Sequence, residues 1–149
     1  MVKRKSKYQK SKARAIKSLA QYKNEDGTQK ENSIERRVRV LLDSMGVYYE
    51  QEKRLTWKGK VKYFDFYITD GLNSFVIECH GTYWHALEWH EGLKKKMELT
   101  KLQRKNLRND KFKAQMVQAL GIPLLCLWED EIKTNIESVK TKILEMLNL

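Results

Sequence analysis

Six residues, Ser74 to Cys79, constrain this chain more than any other stretch. They are rich in Phe, Val and Ile and follow the turn signal Thr69-Asp70-Gly71-Leu72-Asn73, so they read as a short strand that prefers burial. The strand runs directly into His80-Gly81-Thr82-Tyr83-Trp84-His85, a set of groups that coordinate metal, move protons and stack. A carboxylate at Glu78 is expensive to desolvate there unless a cation or hydrogen bonds hold it. Alternation leaves a second reading open, with Phe75, Ile77 and Cys79 on one face and Val76, Glu78 and His80 on a solvated one.

The elements around that strand follow from spacing and punctuation. A helix opens at Asn32 or Ser33, where Asn32 and Glu35 resemble a capping box, and closes near Gly46; its core stripe is Ile34, Val38, Leu41, Leu42 and Met45. Glu35 lies beside that stripe, as a cap residue or within reach of a site built by the sheet. Val47 to Lys53 and Val61 to Ile68 read as strands around a Trp57-Lys58-Gly59-Lys60 turn. In the second of them Asp65 sits between Phe64 and Phe66, an unfavourable place for a carboxylate with only a structural task. Asp65 and Glu78 thus form a pair of acids on neighbouring strands.

From Glu91 to Leu120 the chain reads as one long basic helix or two broken ones, with nine basic residues between Lys94 and Lys113. Leu99 and Leu102 continue at helical spacing through Asn106 and Asp110 to Val117 and Leu120, so polar groups interrupt an apolar stripe. Asp110 either faces the interior or pairs with Arg108 or Lys113 at the surface. Gly121-Ile122-Pro123 ends the helix, Leu124 to Trp128 is a short strand, and Ile132 to Leu149 reads as a final amphipathic helix. The order α-β-β-β-α-β-α fits an α/β sandwich around a central mixed sheet flanked by helices.

Charge narrows the partner. Thirty Lys and Arg against 19 Asp and Glu give +11 over 149 residues, which points to a polyanion, with nucleic acid ahead of an anionic membrane surface. Ten of those basic residues, Lys3, Arg4, Lys5 and Lys7 among them, fall in the first 30 against only Glu25 and Asp26. Residues 1–31 therefore read as a basic arm, flexible or helical, that contacts phosphates, or as a solvated tail; residues 32–149 hold the folded domain. Cys79 and Cys126 lack Cys-x-x-Cys spacing and read as reduced thiols. No apolar stretch approaches the roughly 20 residues that span a bilayer, and no hydrophobic segment follows the first lysines. A soluble, intracellular protein, cytoplasmic or acting on nucleoid or host-cell DNA, is expected.

The helix, three strands, helix, strand order, with an acid on the second strand and Glu-x-basic on the third, resembles the PD-(D/E)XK restriction-endonuclease-like nucleases. Asp65 matches the aspartate of that pattern, Glu78 its second acid, and His80 stands where lysine is usual. His80-Gly81-Thr82-Tyr83-Trp84-His85 is similar to the His-Gly-x-aromatic-Trp-His signature of the very short patch repair endonucleases, and Arg108-Asn109-Asp110, Gly121 and Leu127-Trp128-Glu129 to later parts of it. Related homing endonucleases carry an EDxHD constellation, matched in order by Glu35, Asp65, Cys79-His80 and Asp110. The resemblance covers about residues 32 to 130. It departs at the repair enzymes' zinc site, since Asp130 follows Trp128-Glu129 where a Cys would stand, so no zinc is expected; and no known motif marks the arm.

The resemblance implies a metal-dependent endonuclease that hydrolyses phosphodiester bonds in double-stranded DNA, of homing or mobile-element type, with a mismatch-repair nickase or an inactive basic DNA-binding module as alternatives and RNA binding as a weaker one. Mg²⁺ or Mn²⁺ would suit Asp65, Glu78 and the main-chain carbonyl of Cys79. His80 would take a proton from water or touch the phosphate, His85 would act as general acid or phosphate ligand, and Glu35 and Asp110 would orient the histidines or a metal-bound water. Lys94, Lys95, Arg104, Lys105 and Arg108 would contact the DNA backbone and Tyr83 its bases. Trp84 and Trp89 can stack on bases or pack in the core, and packing suits Trp84 better. One site per chain should nick; a double-strand break would require a homodimer or two successive events.

Overall fold

The computed structural model describes residues 31–148 apart from Gly71, so contacts expected of Lys3, Arg4, Lys5 and Lys7 lie outside it. Ser33 onward folds as one unit. Helix α1 (Ser33–Ser44) buries Ile34, Val38 and Leu42, the i, i+4, i+8 stripe read from the sequence. It stops at Gly46, whose φ of 67° lets Val47 N–H turn back to the Leu42 carbonyl at 3.1 Å.

Strands β1 (Tyr49–Trp57) and β2 (Lys60–Ile68) form an antiparallel hairpin. Its turn is Lys58-Gly59, both at positive φ (50° and 71°), the two-residue geometry whose twist matches that of the strands. The hairpin therefore keeps β1 paired to Trp57, four residues beyond the expected Lys53.

Strand β3 (Phe75–His80) lies between β2 and β4 (Leu124–Trp128), giving the order β1-β2-β3-β4 with β3 and β4 parallel. All six residues of β3 are buried, because helices cover both faces of the sheet. Phe75, Ile77 and Cys79 join Phe66, Ile68 and Leu127 in a core under α1, α4 (Glu129–Thr134) and α5 (Ile136–Leu147). On the other face Val76 and Phe64 pack with Met116 and Val117 of α3 (Lys101–Ala119). The arrangement is a mixed α/β sandwich.

One sequence expectation is narrowed and two change. The basic segment, read as one long helix or two broken ones, is broken: a short helix α2 (Leu87–His90) and a 3-10 turn (Lys96–Glu98) precede α3, which starts only where Thr100 and Gln103 form a reciprocal cap. The apolar Leu93 and Met97 ahead of α3 are 70% and 81% exposed. The final helix is split at Asn135, whose side chain accepts from Ser138 N–H and starts α5 afresh. Trp84 does not pack in the core; it is 53% exposed.

Candidate functional site

The ladder between β2 and β3 is paired only at Phe66↔Ile77, Tyr67↔Val76 and Ile68↔Phe75; toward its carboxyl end β3 keeps its pairing with β4 alone. Two carboxylates take over where the strands part. Asp65 N–H donates to Glu78 Oε1 at 3.0 Å, and Cys79 N–H donates to Asp65 Oδ2 at 2.7 Å. Side chains thus satisfy main-chain donors that the missing ladder would leave orphaned, and both acids are held at the opening.

Across the hairpin, Glu52 has φ 52° and no partner in the ladder between Gln51↔Phe66 and Lys53↔Phe64. A non-glycine residue in the left-handed region costs about 1–2 kcal/mol, and such strain concentrates where a side chain has to be aimed. Here the carboxylate joins those of Glu35 and Asp65: one oxygen from each lies within 4.8 Å of the others. Sequence reasoning missed Glu52, which stands in a polar strand that looks solvated throughout.

The six-residue signature folds into a tight loop after β3, with His85 N–H on the Gly81 carbonyl (3.1 Å) and Leu87 N–H on that of Thr82 (3.0 Å). A Cβ at Gly81 would stand 3.3 Å from the Trp84 ring, tight enough that the ring would have to give way by a few tenths of an ångström. Glu129 Oε1 accepts from Thr82 N–H at 3.2 Å. The loop lays the His85 ring on that of His80, with centroids 4.1 Å apart and planes within 4°. Trp128 meets His80 edge-on at 5.1 Å.

Helix α3 holds this loop with one polar face. Gln103 Nε2 donates to the Tyr83 carbonyl and Asn106 Nδ2 to that of Trp84, both at 2.8 Å. Asp110 Oδ2 lies 2.6 Å from His85 Nδ1, and Lys113 Nζ donates to Glu78 Oε2 at 2.7 Å. Positions 103, 106, 110 and 113 repeat at helical spacing, so the polar interruption of the apolar stripe is a row of clamps on the signature and on Glu78. Asp110 therefore faces the interior. Lys113 was hidden among nine basic residues and could not be singled out.

Glu78, His80, Asp110 and Lys113 line a cleft of about 690 Å³, with Arg108, Lys96, Trp89 and Trp128 at its walls. Of the residues expected to meet DNA, Tyr83 is 55% exposed, Lys95, Lys105 and Arg108 are exposed, and Arg104 is partly buried. Lys94 instead pairs with Glu88 at 3.0 Å. His90 is exposed.

Burial and crowding set the electrostatics. Burial, then the Glu35 charge, pushes the Asp65 carboxyl up to about 7; burial, then the Asp65 charge, does the same to Glu78 against the opposing pull of Lys113. Burial also raises Glu52. His80 is lowered to about 4, first by burial and then by His85, so its ring is neutral at neutral pH. Its Nδ1 is buried and has no hydrogen-bond partner among the described residues, so it is a buried polar atom that a bound water or ligand would satisfy. The Cys126 thiol at the cleft is pushed up to about 11 by burial, and burial also raises that of Cys79.

A pH signature follows. Asp65 and Glu78 bind protons more tightly folded than unfolded, so their contribution to stability is complete below about pH 4 and is lost as pH rises through about 7. His80 acts oppositely: its contribution is full above its ordinary value near 6.5 and is lost as pH falls through about 4. Two carboxyls outweigh one imidazole, so in EDTA the melting temperature is expected to fall by about 5 °C or more between pH 5.5 and 8. Calorimetry showing a flat or rising trend across that window would refute the assignment.

No protein-family model matches this chain, and no curated protein matches it. Among solved structures the chain is similar to the catalytic domain of a homing endonuclease, I-Bth0305I. The two are 26% identical with a TM-score of 0.51, over 77% of this chain and 93% of that one. The likeness spans nearly the whole of that catalytic domain and agrees with the mixed α/β architecture seen here. Among the described residues no helix is long and apolar enough to cross a membrane.

Proposed function

We propose that this protein is a metal-dependent endonuclease of the PD-(D/E)XK class that hydrolyses phosphodiester bonds in duplex DNA inside the cell, as a homing or mobile-element enzyme with an EDxHD site. The observation that carries this reading is a pair of clusters, His85 bonded to Asp110 at 2.6 Å beside His80 and the converging carboxylates of Glu35, Glu52 and Asp65, in a fold similar to a homing endonuclease catalytic domain. The donor set suits Mg²⁺ or Mn²⁺: Glu35, Glu52 and Asp65 supply hard oxygens whose mutual repulsion a dication would relieve, and the Cys79 main-chain carbonyl is the further oxygen we assign to it. Both oxygens of Glu78 are already engaged, by Asp65 N–H and Lys113, so Glu78 holds the site together. When bound, such an ion polarises the phosphate and lowers the pKa of water.

The residues divide the remaining work. A carboxylate at Asp110 accepts, which places the proton of His85 on Nδ1 and leaves Nε2 free to take one from the attacking water. His80 is too weak a base at a pKa of about 4; its neutral ring, which lines the cleft, is assigned a contact with the phosphate. Exposed Tyr83 and Trp84 at the tip of the loop present rings for the bases, and Lys95, Arg104, Lys105, Arg108 and the arm residues Lys3, Arg4, Lys5 and Lys7 neutralise phosphates. The test is supercoiled plasmid with Mg²⁺ or with EDTA. Nicked circle in the first and none in the second is expected. Tight, salt-sensitive binding with no product would make the protein a binding module instead.

A further inference from the structure

Lys113 is out of keeping with the other basic residues of α3. Its side chain is 12% exposed and that of its partner Glu78 8%, whereas Lys101, Lys105, Arg108 and Lys111 are exposed. Its ammonium lies 4.6 Å above the Phe64 ring and 2.7 Å from Glu78 Oε2, in the wall of the cleft. A buried ion pair is a poor stabiliser, since apolar groups of equal volume commonly serve as well or better. Apolar partners surround it: Phe64, Val76 and Met116 form the core beneath. Packing alone gives no reason for a charge here.

The position gives one. Lys113 acts electrostatically on Glu52, Asp65 and Glu78 on one side and on His80 on the other, so it lies within reach of both halves of the site. A phosphate entering beside these acids meets repulsion that a fixed cation offsets. An ammonium carries three N–H donors and Glu78 takes one. Asp110, three residues earlier on the same helix face, fixes His85, so α3 sets both groups in one geometry.

We propose that Lys113 is a catalytic residue: held on Glu78, it contacts the scissile phosphate and stabilises the negative charge that builds on its oxygens. This rests on the endonuclease reading above. The experiment is single-turnover nicking of supercoiled plasmid with Mg²⁺, together with DNA affinity measured in EDTA, for wild type, Lys113→Ala and Lys113→Arg. Lys113→Ala is expected to lower the rate about 100-fold with affinity within about threefold, and added ethylammonium should restore part of the rate in a concentration-dependent way. Should Lys113→Ala fail to fold, Lys113→Arg, which keeps the charge but displaces it, should still cut about tenfold more slowly with affinity unchanged. Wild-type rates in the variants, a loss matched by lost affinity, or no response of folded Lys113→Ala to the amine would overturn the proposal. A wild-type protein that leaves plasmid intact sinks the endonuclease reading and this inference with it, whereas a wild type that nicks beside an equally active Lys113→Ala sinks this inference alone.

Discussion

Asp65→Asn is expected to abolish Mg²⁺-dependent nicking, by about 10³-fold or more, while making the metal-free protein more stable at pH 8. The two effects share a cause. Asp65 Oδ2 accepts the Cys79 N–H at 2.7 Å, and an asparagine carbonyl can accept the same bond, so the parting of β2 and β3 should survive. What the substitution removes is a charge crowded by burial and by Glu35, whose pKa of about 7 means that it is ionised at pH 8 against its surroundings. Removing it relieves the carboxylate group that we assign to the ion. The melting temperature in EDTA should therefore rise, and the further rise that Mg²⁺ gives the wild type should shrink or vanish. Plasmid nicking and calorimetry with and without Mg²⁺ check both halves. A variant that cuts normally places the ion elsewhere, and one that loses stability shows Asp65 to be a structural hydrogen-bond anchor first.

How much of this was legible in the chain differs by residue type. The Ile34, Val38, Leu42 stripe and the turn at Gly59 carry strong local signals, because apolar periodicity and a glycine suited to positive φ are written in the residues themselves. Asp65 and Glu78 were visible as acids in apolar surroundings, and Asp110 as a polar break in a stripe. Each of those signals is a local cost that something distant has to offset, which is why a single sequence can show it.

Glu52 and Lys113 were not visible, since a Glu in a polar strand and a Lys in a basic helix cost nothing locally. Their placement comes from strand register, which sets Lys53 opposite Phe64 beside Asp65, and from the packing of α3 against the sheet. The break at Asn135 and the exposure of Trp84 were hidden for a related reason. Asn135 is a cap only because the backbone turns there, and Trp84 is held outward by Asn106 and by its own tight loop. Asparagine is a favoured cap, but that preference alone does not say where the backbone turns, and local propensity has no term for the exposure of Trp84.

The second large effect concerns the proton. Asp110→Asn is expected to lower the nicking rate by about 10²–10⁴-fold while DNA affinity and fold stay close to wild type. The Asp110 side chain is 15% exposed and bonded to His85 across 2.6 Å, so its loss acts through that ring. An asparagine that turns its NH₂ toward Nδ1 makes that nitrogen the acceptor, moves the imidazole proton to Nε2 and removes the lone pair that would receive a proton from water. Because His85 is stacked on His80, the ring cannot swing away to recover its function without breaking that contact. The decisive comparison is a cycle of Asp110→Asn, His85→Ala and the double variant. If Asp110 works only through His85, the double variant should be no slower than His85→Ala, because a tautomer cannot be lost from a ring already absent. Losses that multiply would instead give Asp110 a task of its own, with its second carboxylate oxygen, free of His85, as the group to pursue.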